Sequence, residues 1–262
     1  MTDTWGPFSL DEKIVVVTGG TRRYGYYFCQ ALSQAGATVV LTSRDQGRAD
    51  ETAREISQQG SEVHGYSLEL EDSGSIDRFV DAVVADHGGI DVLVNNARTM
   101  AGMTTSEITQ QELDRLFRVN VVGTFLLTRR VVEEMKQASG GNIINIGSIY
   151  GLVGQQPRIY ADPEASLSYT YCIFKGGMVT YSRQLATTLA EHNIRANCLS
   201  LGGLRETSVD ESHFLPHYEE RVPLGRMAIG EDVAGPIVFL ASDASAYVTG
   251  TNLVVDGGWT AW

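Results

Sequence analysis

Tyr171 and Lys175 stand four residues apart in the run Tyr171-Cys172-Ile173-Phe174-Lys175. On a helix that spacing puts both side chains on one face, one turn apart. An ammonium held beside a phenol favours the phenolate and draws down a pKa that starts near ~10. A tyrosine tuned in this way can give a proton to a carbonyl oxygen or take one from an alcohol. The chain has three lysines (Lys13, Lys136 and Lys175) and eleven tyrosines, so such a pair can also arise by chance on an amphipathic helix. The pattern gains meaning only beside a nucleotide site and a donor for the substrate oxygen. Ser148 supplies the donor: it follows the apolar run Gly141–Ile146, at the carboxyl end of what reads as a strand, where open α/β sheets bind ligands. Tyr169 has no lysine four residues on and is set aside.

The nucleotide site comes from the elements upstream. Ile14-Val15-Val16-Val17 is a β-branched run of the kind covered on both faces of a sheet. It ends in Thr18-Gly19-Gly20-Thr21-Arg22-Arg23-Tyr24-Gly25, and a helix pattern follows from about Tyr26 to Gln34, closed by Gly36. Strand, glycine turn and helix N-terminus together cradle a pyrophosphate, because bare amides and the helix dipole face the anion. A second strand over 37–42, a helix over 50–59 stopped by Gly60, and a third strand over 62–70 come next. A helix over 75–87 carries Ile76, Phe79, Val80, Val83 and Val84 on one stripe and stops at Gly88-Gly89. The fourth strand, 90–94, runs into Asn95-Asn96-Ala97-Arg98. Thr109 and Glu112 form a capping box that opens a long helix containing Asn120. The fifth strand is 141–146, the helix of Tyr171 extends to Ala190, and the sixth strand is 194–200. A last helix covers 233–240 after Glu231-Asp232.

These motifs resemble those of the short-chain dehydrogenase/reductase family. Thr18, Gly19 and Gly25 match its glycine turn. Asn95-Asn96-Ala97 matches its Asn-Asn-Ala-Gly, Asn120-x-x-Gly123 its Asn-x-x-Gly, and Tyr247–Trp259 its closing strand; the likeness runs from about Asp11 to Trp259. The resemblance implies a doubly wound α/β Rossmann fold: one domain over 1–262, a single seven-stranded parallel sheet with helices on both faces, and a lid or specificity segment at about 203–225. It implies reversible hydride transfer between a nicotinamide cofactor and a carbonyl/alcohol pair. Asn120, Ser148, Tyr171 and Lys175 are the catalytic set: Tyr171 as acid/base, Lys175 tuning it and holding ribose, Ser148 polarising the substrate oxygen, Asn120 anchoring a proton relay. Cofactor contacts fall on Gly19, Thr21, Arg22, Arg23 and Tyr24; on Ser43 and Arg44; on Glu69 and Leu70 in the place of an adenine-touching Asp-Val pair; on Asn96 and Ala97; and on Tyr171, Lys175, Gly202 and Leu204. It also implies a homotetramer joined through the helices of Asn120 and Tyr171.

Five positions depart from the family pattern. Arg23 replaces the middle glycine of the turn and Tyr24 a small aliphatic; Arg98 replaces a glycine, Leu201 a proline, and Glu206 a threonine, with Thr207 one place later. Arg23 must swing away or bond the cofactor itself. An acid at position 43 would grip a ribose 2'-hydroxyl; Ser43 beside Arg44, with Arg22 near, offers positive charge for a 2'-phosphate instead. NADP(H) is therefore expected over NAD(H), with Asp45, one residue late for the usual acid, keeping NAD(H) as the alternative. Ser148 and Tyr171 lie farther apart than the family commonly has them, and the extra polar stretch 155–164 must sit over the substrate mouth. There Arg158 and Tyr160 could hold a hydroxylated or anionic substrate, or the stretch could be purely structural.

Composition bounds the rest. The chain has 262 residues, 43% hydrophobic and 20% charged, with a net charge of −12. That balance argues against a nucleic-acid surface, which needs clustered cations. No apolar run is long enough to span a membrane, and Met1 to Lys13 does not read as a signal peptide. Cys29, Cys172 and Cys198, odd in number and without a CxxC pair, fit the cytoplasm. His213 and His217 are spaced like a metal pair but lack a third ligand and read as exposed lid histidines, so no metal is expected. The expected substrate is a small carbonyl/alcohol compound: a sugar, polyol or sugar acid first, a 3-oxoacyl thioester second, since an acyl-carrier partner is itself acidic. The competing class is a non-catalytic nucleotide sensor or scaffold, prompted by Arg23, Leu201 and Glu206.

Overall fold

Val15, Val16 and Val17 are each fully buried, with Val15 and Val17 packed into one core cluster and Val16 into another. That alternation marks a strand covered on both faces, as the β-branched run predicts. The computed structural model describes residues 6–58, 61–101, 104–166, 168–206 and 209–262, with only the backbone of Ala165; Gly60 and Thr207 lie outside the described residues. In chain order the elements are β1 Ile14–Val17, α1 Arg23–Gln34, β2 Thr38–Ser43, α2 Gln46–Ser57, β3 Val63–Ser67, α3 Ser73–His87, β4 Val92–Asn95, α4 Gln110–Phe117, a π-helical segment Arg118–Gly123, α5 Thr124–Gln137 and β5 Gly141–Ile146. Then come the short α6 Pro163–Ser166, α7 Tyr169–Leu189, β6 Ile194–Leu201, α8 Phe214–Arg221, α9 Ala234–Ala241 and β7 Asn252–Val255.

The seven strands form one parallel sheet in the order β3-β2-β1-β4-β5-β6-β7. Chain order reverses direction between β1 and β4, the switch point beside which doubly wound sheets open a ligand crevice. One face is sealed by Phe28 and Leu32 of α1 with Ile237 and Leu240 of α9. The other is sealed by Phe79 and Val83 of α3, Leu127 and Val131 of α5, and Leu189 of α7.

Several boundaries differ from the sequence reading for identifiable reasons. The first helix starts at Arg23 rather than Tyr26; Arg23 enters it at φ +53°, a left-handed conformation that non-glycine residues rarely take. The second starts at Gln46 rather than Asp50, because the Asp45 carboxylate caps it by accepting from the Arg48 amide at 3.0 Å. The third strand ends at Ser67, which pairs with Ser43 at the end of β2. The helix opened by the Thr109 cap is interrupted by the π segment around Asn120.

Candidate active site

Helix α7 carries the acid/base pair. Ser168 caps it, its Oγ accepting from the Tyr171 amide at 3.4 Å, so Tyr171 lies in the first turn and Lys175 in the second. The Lys175 ammonium is 5.8 Å from the centre of the Tyr171 ring and donates to the Ile146 carbonyl of β5 at 2.6 Å. Burial by itself would push the Tyr171 phenol up. The Lys175 ammonium, then the Arg98 guanidinium, a hydrogen bond with Ser148 and the more distant Arg23 outweigh that burial and hold the phenol below its ordinary value. Lys175 is itself lowered, by burial first, with Tyr171 pulling the other way and Arg98 adding to the fall. Ser148 sits two residues beyond Ile146, where β5 ends, and caps a single 3-10 turn, accepting from the Tyr150 amide at 3.2 Å.

Asn120 lies behind this pair, in the π segment. Both polar atoms of its side chain are used: Oδ1 accepts from the Thr99 amide at 2.9 Å and Nδ2 donates to the Thr99 carbonyl at 3.0 Å. Asn120, Arg98, Tyr171 and Lys175 border a small cavity of about 20 Å³, the space of one water. Gly123 allows the close packing there, since a Cβ at that position would stand 2.3 Å from the Leu70 carbonyl oxygen. Asn95 bonds Thr128 at 2.9 Å and Asn145 at 2.8 Å, and Asn145 in turn donates to Ser182 at 2.9 Å, so β4, β5, α5 and α7 are locked together just below the pair.

In front of the pair a cleft of about 1010 Å³ runs along the carboxyl ends of the strands. Every residue expected at a cofactor borders it. Gly19, Thr21, Arg22, Arg23 and Tyr24 lie at the β1–α1 turn, and Ser43 and Arg44 lie after β2. Glu69 and Leu70 follow β3, Asn96 and Ala97 follow β4, and Tyr171, Lys175, Gly202 and Leu204 stand at the far end; Ser148 borders it too. The first turn of α1 has no side-chain cap, which leaves its amides facing the cleft. Gly25 is required by the tightness of this turn, because a Cβ would meet the Gly19 carbonyl oxygen at 2.3 Å. Asn96 fastens it by donating to Thr18 O at 2.8 Å and Gly19 O at 3.1 Å. A dinucleotide thus fits the residues present: anion-facing amides at one turn, hydrogen-bonding groups at both ends.

Sequence reasoning missed Arg48, which joins Arg22 and Arg44 on the cleft wall. Its signal was the four-residue spacing from Arg44 across the α2 start. Arg23 does not plug the crevice: its guanidinium is paired with the Glu206 carboxylate. Two departures from the family pattern therefore answer each other, and a third, Tyr24, donates from its hydroxyl to the Gly202 carbonyl at 3.1 Å. Arg98 stands against the Tyr171 ring, 5.5 Å from its centre.

The stretch 155–164 closes the far side of the mouth. Ile159 buries itself with Tyr218 of α8, Val222 and Trp259, which ties the stretch to the lid segment. Gln155 accepts from the Ser168 amide at 2.8 Å, bracing it against the start of α7. The Tyr150 and Tyr160 hydroxyls meet at 3.1 Å, and Tyr160 and Gln155 border the cleft. Arg158 is a correction: it is exposed and does not border the cleft, because the turn Pro157–Ile159 points its neighbour Ile159 inward instead. The His213 and His217 rings stack at 4.4 Å, and His217 Nδ1 contacts the His213 carbonyl at 2.7 Å. Among the described residues no group of three His, Cys, Asp or Glu side chains is arranged to hold a metal.

A family model described as enoyl-(acyl carrier protein) reductase, of the short-chain alcohol dehydrogenase type, matches residues 24–260. The chain belongs to the short-chain dehydrogenase/reductase family. Cyclopentanol dehydrogenase of Comamonas sp. (strain NCIMB 9872) is 34% identical over 256 residues, covering 96% of this chain and 98% of that protein. The 3-oxoacyl-[acyl-carrier-protein] reductase FabG of Aquifex aeolicus (strain VF5) is 31% identical, covering 95% of this chain and 98% of that protein. Among solved structures, a gluconate 5-dehydrogenase from Burkholderia cenocepacia J2315, in complex with NADP and tartrate, superposes with a TM-score of 0.88 at 28% identity, covering 98% of each chain. As a member of this family the protein is an NAD(P)-dependent oxidoreductase that interconverts a carbonyl and an alcohol. No helix among the described residues is long and apolar enough to cross a membrane.

Proposed function

We propose that the protein is an NADP(H)-dependent dehydrogenase/reductase acting on a polyol, sugar or sugar acid, with Tyr171 exchanging the proton. The single observation that carries the reading is Tyr171 itself: a phenol held below its ordinary pKa by Lys175, hydrogen-bonded to Ser148, at the inner end of a dinucleotide-sized cleft. When bound, the nicotinamide supplies or accepts the hydride. In the oxidising direction the Tyr171 phenolate takes the alcohol proton; in the reducing direction the Tyr171 phenol gives its proton to the carbonyl oxygen. Ser148 donates to that oxygen as negative charge grows on it, where a donor is most effective. Lys175 stabilises the phenolate and would hold a ribose hydroxyl. Asn120 fixes the Thr99 backbone beside the small cavity through which a water could pass protons to Lys175.

Support for NADP(H) over NAD(H) comes from Arg22, Arg44 and Arg48, whose guanidinium groups have no hydrogen bond or ion pair with another described residue and so remain available to a 2'-phosphate. Asp45, the acid one residue beyond the position that would grip a ribose 2'-hydroxyl, accepts from the Arg48 amide and caps α2. The substrate class is supported by the hydrogen-bonding mouth of Tyr150, Tyr160 and Gln155, and by the gluconate 5-dehydrogenase likeness. Residues 203–225 serve as its lid, and the enzyme works as a homotetramer in the cytoplasm, the last supported by three unpaired cysteines.

The test is turnover of a panel of polyols, aldonic acids, simple cycloalkanols and 3-oxoacyl thioesters with each coenzyme, followed at the reduced-nicotinamide absorbance band. Activity is expected with NADP(H) on hydroxylated substrates, and Tyr171→Phe should remove at least ~99% of it while coenzyme binding persists. Full turnover by Tyr171→Phe would remove Tyr171 from the mechanism; tight coenzyme binding with no turnover on any substrate would favour a nucleotide-sensing role.

A further inference from the structure

We propose that Arg98 is a positioning residue of the proton-exchange site, its guanidinium against the Tyr171 ring sharing with Lys175 the task of stabilising the phenolate. The inference rests on Tyr171 being the acid/base. A guanidinium 5.5 Å from a ring centre is within cation–π range, and the attraction grows when the ring carries a full negative charge. Lys175 reaches Tyr171 from its own helix; Arg98 reaches it from the loop after β4, so the two cations arrive on independent supports.

The support of Arg98 is built rather than incidental. Upstream, Asn96 is pinned to Thr18 and Gly19. Downstream, Thr99 is clamped by both side-chain atoms of Asn120, and its hydroxyl accepts from Arg115 at 3.1 Å. Arg98 sits between these anchors. It is solvent-exposed, and it borders both the cleft and the small cavity behind Tyr171. No described carboxylate is bonded to it: the nearest whose field it feels, Glu206, is occupied by Arg23. Lys175, by contrast, is partly committed to the Ile146 carbonyl.

Other groups face Tyr171 but do not substitute for Arg98. From the β1–α1 turn come Arg23, neutralised by Glu206, and Tyr24, whose phenol burial keeps protonated. From the segment after β5 come Ser148, a neutral donor, and Tyr150, also held protonated by burial. From β6, Cys198 faces Lys175 and burial keeps it a thiol. Among the described residues, Lys175 and Arg98 are therefore the cations acting on this phenol that no carboxylate pairs, and of their effects that of Lys175 is the larger.

The experiment compares Arg98→Gln, Arg98→Gly, Arg98→Lys and Tyr171→Phe with the parent. Two readouts are taken: the pH profile of kcat/KM for alcohol oxidation, and the spectrophotometric titration of the coenzyme-free protein at the tyrosinate band. The lowest-pH phenol titration should vanish in Tyr171→Phe. It should move up by ~1 pH unit in Arg98→Gln and Arg98→Gly, as expected for losing one nearby opposite charge, and return most of the way in Arg98→Lys. The kinetic limb should follow the same shifts, with kcat/KM at neutral pH falling about tenfold while the coenzyme Kd holds. A titration unmoved in Arg98→Gln, whatever the activity, overturns the proposal. Should one variant fail to fold, the Gln and Lys variants still decide between charge and bulk. If Tyr171→Phe keeps its turnover, the acid/base reading has failed instead, and the two failures are told apart.

Discussion

A phenol trades protons in opposite senses in the two directions of a carbonyl/alcohol reaction. Tyr171 must be ionised to take a proton from an alcohol and protonated to give one to a carbonyl. Because burial is outweighed by Lys175, Arg98 and Ser148, its titration is drawn below the ordinary phenol range. Alcohol oxidation should therefore rise with pH through that lowered pKa and level above it, and carbonyl reduction should fall over the same interval. Measuring kcat/KM against pH in both directions checks this; limbs of the same sign would assign the proton step to another group. At the other end of the cleft, Ser43→Asp with Arg44→Ala should reverse the coenzyme preference by at least ~10-fold, read from the ratio of kcat/KM for NADPH and NADH. The Tyr171–Lys175 pair was legible in the sequence because it is local: four residues on a helix fix the geometry. Arg98 and the Arg23–Glu206 ion pair were visible only as departures, since what they meet is set by loops that chain-local spacing does not describe.

Apolar runs and glycine stops were enough to place the first six strands and the helices α1–α5, α7 and α9, because each depends on near neighbours and on burial of one face or both; α6 and α8 were not read, and β7 came from the resemblance. What they could not supply is how an element yields to its surroundings. Asparagine is a weak helix former, and at Asn120 the structure has a π segment, with the side-chain amide bonded to Thr99. That segment packs so tightly that Gly123→Ala would set a Cβ 2.3 Å from the Leu70 carbonyl oxygen. The variant should lose ~1–3 kcal/mol of stability, seen as a lower Tm, and should also lose activity because Asn120 moves with the segment. An unchanged Tm would mean that the segment repacks freely. The link between the α1 start and the chain after β6 depends on Arg23 and Glu206, both partly exposed. Such a pair is worth up to ~1 kcal/mol. Glu206→Gln should release Arg23 toward a phosphate and tighten NADPH binding by up to ~5-fold, and Arg23→Gln should weaken it. Titrating coenzyme binding against salt distinguishes this from a purely structural clasp, for which both variants would weaken binding alike.

On the scale of the whole molecule, the helices that carry the active site also carry a row of exposed apolar side chains. Phe117, Val121, Val122 and Phe125, from α4 through the π segment into α5, are exposed, with Phe125 49% accessible; on α7 Tyr169 and Ile173 are exposed, Ile173 by 59%. Phe117 packs edge-on against Phe174 at 5.0 Å and Phe125 lies 6.4 Å from Tyr181, so the two helices present one continuous strip. A contiguous strip of this kind on a chain whose net charge is −12 calls for a partner rather than solvent. In the proposed homotetramer a second copy would meet that need through a two-fold contact in which the same patch faces itself. The four-chain assembly expected for this 28.5 kDa protein should appear in sedimentation or light scattering at about four chain masses. Phe125→Glu with Ile173→Glu places like charges across such a contact and should break the assembly into smaller species. Activity should fall with assembly, because Asn120 and Tyr171 sit on the segments whose outer faces are being separated. A fully active monomer from either the parent or the double variant would show that the strip serves something other than self-association.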